Sequence, residues 1–137
     1  MKRLPNWRAR LADEMDRQRQ EPFAWGRHDC ALGLAAGAVE AITGENLREG
    51  IGGYKTPRGA LLALRRAGYS SLAEAISARL PEIHPSQAQI GDIGLIPSEG
   101  DIGAALCVVD ASGVIVMTDH GHGRRPRADM ITAYKVG

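Results

Sequence analysis

The stretch Phe23-Ala24-Trp25-Gly26-Arg27-His28-Asp29-Cys30, followed by a long apolar run, decides how this chain folds. Asp29 is suited to cap a helix, because its carboxylate can accept the free backbone N–H groups of the first turn. The run from Ala31 to Ile42 consists of Ala, Leu, Val, Ile and Gly, and Glu40 is its only charged residue. A helix that is apolar on nearly every side is buried. The sequence therefore predicts a buried central helix over residues 29–43.

Cys30 is the first residue of this predicted helix. Its thiol would face the positive end of the helix dipole, which favours the thiolate and so a nucleophilic role. The alternative is that Cys30 is a small buried hydrophobic residue, as free cysteines usually are. The spacing alone leaves both interpretations open.

Four motifs follow one another in a characteristic order. The first, F-x-W-G-x-x-D-C, ends at Cys30, and the second, T-x-R-G-A-L-x-A-L-R-R-A-G, covers residues 56–68. The third, A-x-x-G-D, covers residues 88–92, and a short closing strand covers residues 133–137. Together they resemble the NlpC-type papain-like cysteine peptidases, in particular an uncharacterised branch from tailed phages, prophages and gene-transfer-agent clusters. The likeness spans about residues 20–137.

The resemblance implies an α+β, papain-like (NlpC-like) fold with Cys30 in the nucleophile position and Trp25 and Asp29 as binding residues beside it. In NlpC-type enzymes the base is a histidine at the start of the strand after the Gly-Asp turn. The matching stretch here starts at Ala105, or at Ala104 if the register is shifted by one residue. Neither alanine can accept a proton, so the resemblance implies a degenerate peptidase site.

A second expectation concerns the direction of the side chains on the predicted strand that contains Ala105. Side chains two residues apart on a strand point to the same side. Ala105 and Cys107 are therefore both expected to face the central helix, with Ala105 close to Cys30. Gly33 and Gly37, four residues apart, are expected to leave a smooth helix face that a strand can approach closely.

Other histidines offer weaker candidates for the base or for a metal site. His28 is two residues before Cys30, but its ring is expected to point away from the thiol and to bond a loop. His120 and His122 lie in an Asp-His-Gly-His-Gly stretch that could ligate a metal. The remaining candidate ligands, Cys30 and Cys107, are in apolar segments. We therefore expect an exposed Gly-rich turn, with no metal and no cofactor.

Composition restricts the class of protein. The 137 residues suit one domain, and 44% apolar with 4% aromatic residues predicts a core of Ala, Leu, Ile and Val. A net charge of +1 argues against a nucleic-acid partner. Basic residues cluster near the two ends and are expected to be solvated: Lys2, Arg3, Arg8, Arg10, Arg124, Arg125 and Arg127. The two cysteines have no CxxC spacing, which argues against a disulfide framework, and neither a membrane span nor a signal peptide is predicted.

The remaining segments divide into helices first and strands second. An amphipathic helix is expected over about residues 1–20, with Trp7, Leu11 and Met15 on one stripe. Two further helices are expected, one from Thr56 to Gly68 and a short one from Ser71 to Pro81. Residues 92–136 are expected to form antiparallel strands, with a hairpin turn at residues 110–113: Asp92–Ile96, Ala104–Val109, Val114–Thr118 and Ile131–Val136. Helices followed by a meander predict the α+β class.

The functional expectation follows from the resemblance. It implies a phage or prophage tail-tip (minor tail) component, made in the host cytoplasm and located in the virion tail, with other tail-tip proteins as partners. The alternative is an active cysteine endopeptidase or amidase that cuts peptidoglycan peptides during genome delivery, with Cys30 as the nucleophile and a displaced histidine as the base. A metal-binding module using His120 and His122 is a second alternative.

Overall fold

Four helical elements form the first half of the chain in the computed structural model, which describes all 137 residues. They are α1 (Trp7–Arg19), the central helix, α3 (Pro57–Arg66) and α4 (Leu72–Ser77). The central helix begins as a π-helical segment, Cys30–Ala35, and continues as α2, Ala36–Thr43. The start of the predicted central helix at Cys30 and its end before Gly44, which has φ +82°, are confirmed.

Six strands form one antiparallel sheet in the second half of the chain. They are arranged in the order β1-β6-β2-β3-β4-β5. Their bounds are β1 Glu82–Ile83, β2 Ile93–Pro97, β3 Ala104–Asp110, β4 Gly113–Thr118, β5 Gly121–Arg125 and β6 Thr132–Tyr134. The predicted α+β class and the antiparallel sheet are confirmed.

Two strands were not predicted, and both lack the sequence pattern of a strand. β1 has only two residues, too few to show any alternation. β5 reads Gly-His-Gly-Arg-Arg and pairs with all of β4 except its first residue, Gly113, at the edge of the sheet. The expectation of an exposed turn around His120 and His122 is therefore wrong for His122, which lies on a strand. Backbone pairing with the apolar strand β4 holds β5 in place, and its own side chains contribute no alternating apolar signal.

The predicted capping residues give the starts of α3 and α4 correctly. Thr56 caps α3 by accepting the Gly59 N–H at 2.9 Å, and Ser71 caps α4 by accepting the Glu74 N–H at 3.1 Å. α4 ends at Ser77, before Pro81, so the predicted helix is four residues too long. Leu11 and Met15 of α1 belong to the main core, which shows that this helix packs on the domain itself.

The two faces of the sheet contribute to two separate cores. The larger core lies between the helices and the sheet and includes Leu106 and Val108 of β3. The smaller core lies on the opposite face of the sheet and includes Cys107 and Val109. Side chains of β3 therefore alternate between the two cores along the strand.

This alternation corrects the expected direction of Ala105 and Cys107. Both pack with the smaller core, on the face of the sheet away from the central helix. The register Leu95↔Leu106 and Ile96↔Ala105 between β2 and β3 places the even-numbered residues of β3 on the helix side. Because residues 104–109 are apolar at every position, the sequence contains no alternation that would distinguish the two faces.

The expectations for the Gly33–Gly37 helix face and for Arg3 are also corrected. A Cβ at Gly33 would lie 2.5 Å from Nδ1 of His28, and one at Gly37 would lie 2.4 Å from Glu14. The atoms nearest to these glycines therefore belong to the preceding loop and to α1, and it is these elements that approach the smooth face of the central helix most closely. Arg3 is not a solvated charge: it donates to the Val136 carbonyl at 2.9 Å and to the buried Asp92 carboxylate at 3.0 Å.

None of the helices combines the length and the apolar character that a membrane crossing requires.

Candidate functional site

The loop before the central helix is held by close backbone contact with Tyr54. Gly26 has φ +81°, and a Cβ there would lie 1.9 Å from the Tyr54 carbonyl oxygen. Only glycine satisfies both the backbone angle and the contact. The Trp-Gly pair of the first motif therefore joins this loop to the segment that precedes α3.

Asp29 is the centre of this arrangement and is almost completely buried. Its Oδ1 accepts the N–H groups of Ala31 at 3.2 Å and Leu32 at 2.8 Å. Its Oδ2 accepts the Gly26 N–H at 3.0 Å and the Tyr54 hydroxyl at 2.5 Å. The predicted cap is confirmed, and the carboxylate in addition binds a loop and a tyrosine that come from other parts of the chain.

The first turn of the central helix is wider than an α-helical turn. The Asp29 carbonyl accepts N–H groups from Gly33 at 3.2 Å and from Leu34 at 2.9 Å. Single π turns of this kind occur frequently at functional sites. Asp29 binds the Ala31 and Leu32 N–H groups, whereas the Cys30 N–H has no oxygen acceptor in the protein and contacts its own thiol sulfur.

Cys30 lies at the wall of an apolar cavity of about 70 Å³. The cavity is enclosed by the central helix, α3, α4, the loop of residues 47–54 and β3, and 17 of its 19 lining residues are hydrophobic. Trp25, which makes an edge-to-face contact with Phe23 at 5.2 Å between ring centroids, also lines it. The first motif therefore forms one end of an apolar cavity that is partly open to solvent.

The pKa of Cys30 moves opposite to the expectation from the helix dipole. Burial among apolar side chains is the largest effect and raises the pKa. The backbone N–H groups of Leu106 and of Cys30 itself lower it and the Asp29 carboxylate raises it, so that the resulting pKa is about 11. The dipole cannot dominate, because the Asp29 carboxylate already neutralises the N-terminal end of the helix. A thiol with this pKa is neutral at physiological pH, which agrees with the interpretation of Cys30 as a small hydrophobic residue and not with that of an activated nucleophile.

No titratable side chain of β3 faces the thiol. The helix-facing residues of this strand are Ala104, Leu106 and Val108, and Leu106 lines the cavity together with Cys30. The correction of the register thus moves the base position from Ala105 to its neighbour Ala104 or to Leu106. None of these three residues can accept a proton.

His28 is buried on the other side of the central helix, toward α1. Its Nε2 meets the Gln18 carbonyl oxygen at 3.2 Å. Its Nδ1 lies 3.3 Å from the Glu21 carboxylate without hydrogen-bond geometry. His28 does not line the Cys30 cavity, and its ring nitrogens are next to Gln18 and Glu21.

His122 joins this second, polar cluster, whereas His120 is exposed. The Nε2 of His122 donates to Gln18 Oε1 at 2.9 Å, and its ring centroid is 6.4 Å from that of His28. Burial, then Arg19 and His28, lower the pKa of His122. The chain contains no group of three or more His, Cys, Asp or Glu residues that could hold a metal ion. His120 and His122 line the same surface depression, together with Arg19 and Arg124, but they belong to no group of three such ligands.

Sequence reasoning missed three polar residues that organise the site. Tyr54 binds Asp29, and the fully buried Gln18 binds both Gly33 and His122. Arg79 lines the cavity and donates to the carbonyls of Leu47 and Glu49, which holds the loop over it. Only the heptad-like position of Gln18, three residues after Met15, offered a sequence signal for burial.

The family of the chain is identified by a family model that matches residues 2–136. The chain belongs to the DUF6950 family. The model describes a domain of unknown function, DUF6950. No curated protein and no solved structure matches the chain. The first three sequence motifs, all but the last residue of the fourth, and the cavity that the first helps to form lie within the matched DUF6950 region.

We expect alkylation of Cys30 in this DUF6950 domain to be slow at neutral pH. A pKa raised by two units reduces the thiolate fraction at pH 7 about 100-fold relative to an ordinary thiol. The fold stabilises the neutral thiol; this contribution is fully present below the unfolded pKa and is lost as pH rises through about 11. Iodoacetamide labelling followed by peptide mass spectrometry should show a rate that rises up to pH 11. A plateau below pH 8 would contradict this expectation.

Ala104→His and Ala105→His form a matched pair that tests the orientation of β3. Ala104 is on the helix side, so an imidazole there can approach Cys30 and favour its thiolate. Ala105 is on the far side, so the same change there should leave Cys30 unaffected. We expect Ala104→His alone to accelerate Cys30 alkylation at pH 7, by about tenfold for a one-unit fall in pKa. Equal rates in the two variants would show that the assignment of the faces is wrong.

Proposed function

We propose that the chain is a structural component of a phage or prophage tail tip, built on an NlpC-like, papain-like domain with a degenerate hydrolytic site. The observation that carries this proposal is the environment of Cys30. The thiol stands at the first position of the central helix but has a raised pKa and no base on the facing strand. A cysteine nucleophile needs both a thiolate and an adjacent base.

The tail-tip part of the proposal rests on the resemblance of the four motifs to phage-associated NlpC-like chains. Its partners are then other tail-tip proteins, and its location is the virion tail after synthesis in the host cytoplasm. Family membership is compatible with this proposal and assigns no activity of its own.

One observation favours the alternative of an active cysteine endopeptidase or amidase acting on peptidoglycan peptides. The Cys30 N–H has no oxygen acceptor in the protein and lies at the start of a helix, which is the position of an oxyanion-stabilising donor in such a site. This donor alone is not sufficient for a hydrolytic site, because transfer of the thiol proton still needs a base. We therefore rank the structural role first.

Cys30→Ser distinguishes the two functions. A serine hydroxyl fits the same position at a helix start, so we expect the variant to fold with an unchanged melting temperature, within about 1 kcal/mol of stability. Purified particles that carry Cys30→Ser should contain the chain, detected by mass spectrometry, and should infect normally.

Absence of the chain from purified particles would refute the tail-tip role. Particles that assemble normally but lose a peptidoglycan-cleaving step would establish the enzyme in place of the scaffold.

A further inference from the structure

The outward side of α3 carries a stripe of basic side chains with one leucine among them. The second sequence motif forms this helix, and Ala60 and Leu64 are its buried residues. Four exposed residues lie on the opposite side of the helix, at intervals of three and four, and form the α3 face: Arg58, Leu62, Arg65 and Arg66. None of these four side chains lines the Cys30 cavity. The α3 face is therefore a surface separate from the candidate site.

The arginines of the α3 face have no partner within the chain, unlike most of the other arginines. Ten arginines bond a carbonyl or carboxylate oxygen or lie over an aromatic ring: Arg3, Arg8, Arg10, Arg17, Arg19, Arg48, Arg79, Arg124, Arg125 and Arg127. The four arginines without such a partner are Arg27 and the three of the α3 face. Unpaired guanidinium groups are therefore concentrated on one short helix.

α1 shows how another exposed helix of this chain balances its charge. Its Arg17 binds Glu14 at 2.8 Å and Glu21 at 3.0 Å, and Arg19 binds Asp16. Pairs of this kind stabilise a helix whose surface faces water. α3 contains no acidic residue at all, so it has no such pair. Its positive charge remains available to a partner.

Helix stability explains part of the α3 face but not Arg58 and Leu62. Arg65 and Arg66 lie in the last turn, where the helix dipole favours cations. Arg58 lies in the first turn, where the same dipole opposes a cation and no acidic residue compensates for it. Leu62 is 45% exposed and is one of only three large hydrophobic residues exposed in the chain. These two residues bring the isolated domain no stability, which indicates a role in binding.

We propose that the α3 face docks an acidic amphipathic helix of a partner protein. Carboxylates of that helix pair with the arginines, and an aliphatic side chain between them covers Leu62. A guanidinium binds a carboxylate through two parallel hydrogen bonds. Arg58 and Arg65 are about 10 Å apart along the helix axis, so a partner helix with carboxylates two turns apart matches them. Neither Cys30 nor the cavity takes part in this contact, which therefore goes beyond the proposed function.

Two other kinds of anionic partner fit the α3 face less well. A helix that lies in a membrane surface needs a broad apolar side, whereas Leu62 is the only exposed large hydrophobic residue of α3. A nucleic-acid-binding domain is usually basic as a whole, whereas this chain has a net charge of +1. A protein surface provides both carboxylates for the arginines and an aliphatic group for Leu62.

The test measures binding of the full chain to a fluorescein-labelled helical peptide by fluorescence anisotropy. The peptide is an Ala/Gln helix of about 18 residues with a central leucine, and it has glutamates four positions before the leucine and three and four positions after it. In the comparison peptide, glutamines replace these glutamates. We expect saturable binding of the glutamate peptide that weakens as the salt concentration rises, and at least about fivefold weaker binding of the glutamine peptide.

Arg58→Gln and Arg27→Gln form a matched pair of variants. Each removes one exposed, unpaired arginine, but only Arg58 belongs to the α3 face. We expect Arg58→Gln to weaken binding of the glutamate peptide by about twofold to fivefold. Its melting temperature should not fall, because the change removes a cation from the start of a helix. Arg27→Gln should bind as the unchanged chain does, and Leu62→Gln should bind more weakly.

The proposed docking surface would be refuted by equal binding of the two peptides, by no binding of either, or by equal effects of Arg58→Gln and Arg27→Gln. Tighter binding to phosphatidylserine–phosphatidylcholine vesicles or to a short DNA duplex would also refute it and would assign the α3 face to a membrane surface or to nucleic acid. A lower melting temperature of Arg58→Gln would show that Arg58 stabilises the fold instead. Cleavage of a peptide by Cys30 would refute the proposed structural function and leave the docking surface unaffected.

Discussion

Asp29→Ala is expected to lower the free energy of unfolding by about 4 kcal/mol. The buried carboxylate accepts hydrogen bonds from Gly26, Ala31, Leu32 and the Tyr54 hydroxyl. Alanine removes all four acceptor contacts and leaves the donors unpaired in an apolar environment, where each lost bond is costly. Urea denaturation followed by circular dichroism measures the change.

Thr56→Ala is the matched control for this change. Thr56 is also a helix cap, but it is exposed and accepts one N–H, from Gly59. Its loss should cost about 1 kcal/mol. If Asp29→Ala is no more destabilising than Thr56→Ala, Asp29 is an ordinary cap and does not organise the site.

Gly33→Leu is expected to destabilise the fold by more than about 3 kcal/mol, because it overpacks a close backbone contact. A Cβ at this position would lie 2.7 Å from the Cα of His28 and 2.5 Å from its Nδ1. The backbone of the preceding loop would have to move, and His28 would lose its position against Gln18. The melting temperature and the urea midpoint should both fall.

Glu40→Leu provides the control on the same helix. Glu40 is exposed and pairs with Arg48 at the surface, so its replacement should change stability by about 0.5 kcal/mol or less. A soluble Gly33→Leu variant with an unchanged melting temperature would show that the loop does not pack on this face of the central helix.

The sequence by itself determined the features that depend on near neighbours in the chain. The cap at Asp29, the cap at Thr56 and the left-handed stop at Gly44 were predicted correctly. Each depends on hydrogen bonds or backbone angles within a few residues, so residue type is sufficient to specify it. The α+β class followed from the change between helical and strand-like patterns along the chain.

Only the tertiary structure decided which face of β3 meets the helices. Residues 104–109 are apolar throughout, and both faces of the sheet are covered by a core. Either orientation would bury the strand equally well, so the pairing register with β2 determines which residues of β3 face the helices. This choice directs Ala105 away from Cys30 and places Ala104 and Leu106 on its side.

The tertiary structure also decided the chemistry of Cys30. Locally, a thiol at the start of a helix is favoured as a thiolate by the dipole, and the sequence around residue 30 does not decide between this and a small buried hydrophobic residue. The assembled fold surrounds it with side chains from α3, α4 and β3, and this burial is the largest cause of a pKa raised to about 11. Desolvation depends on residues distant in the chain, so it overrides the local effect and cannot be predicted from the motif.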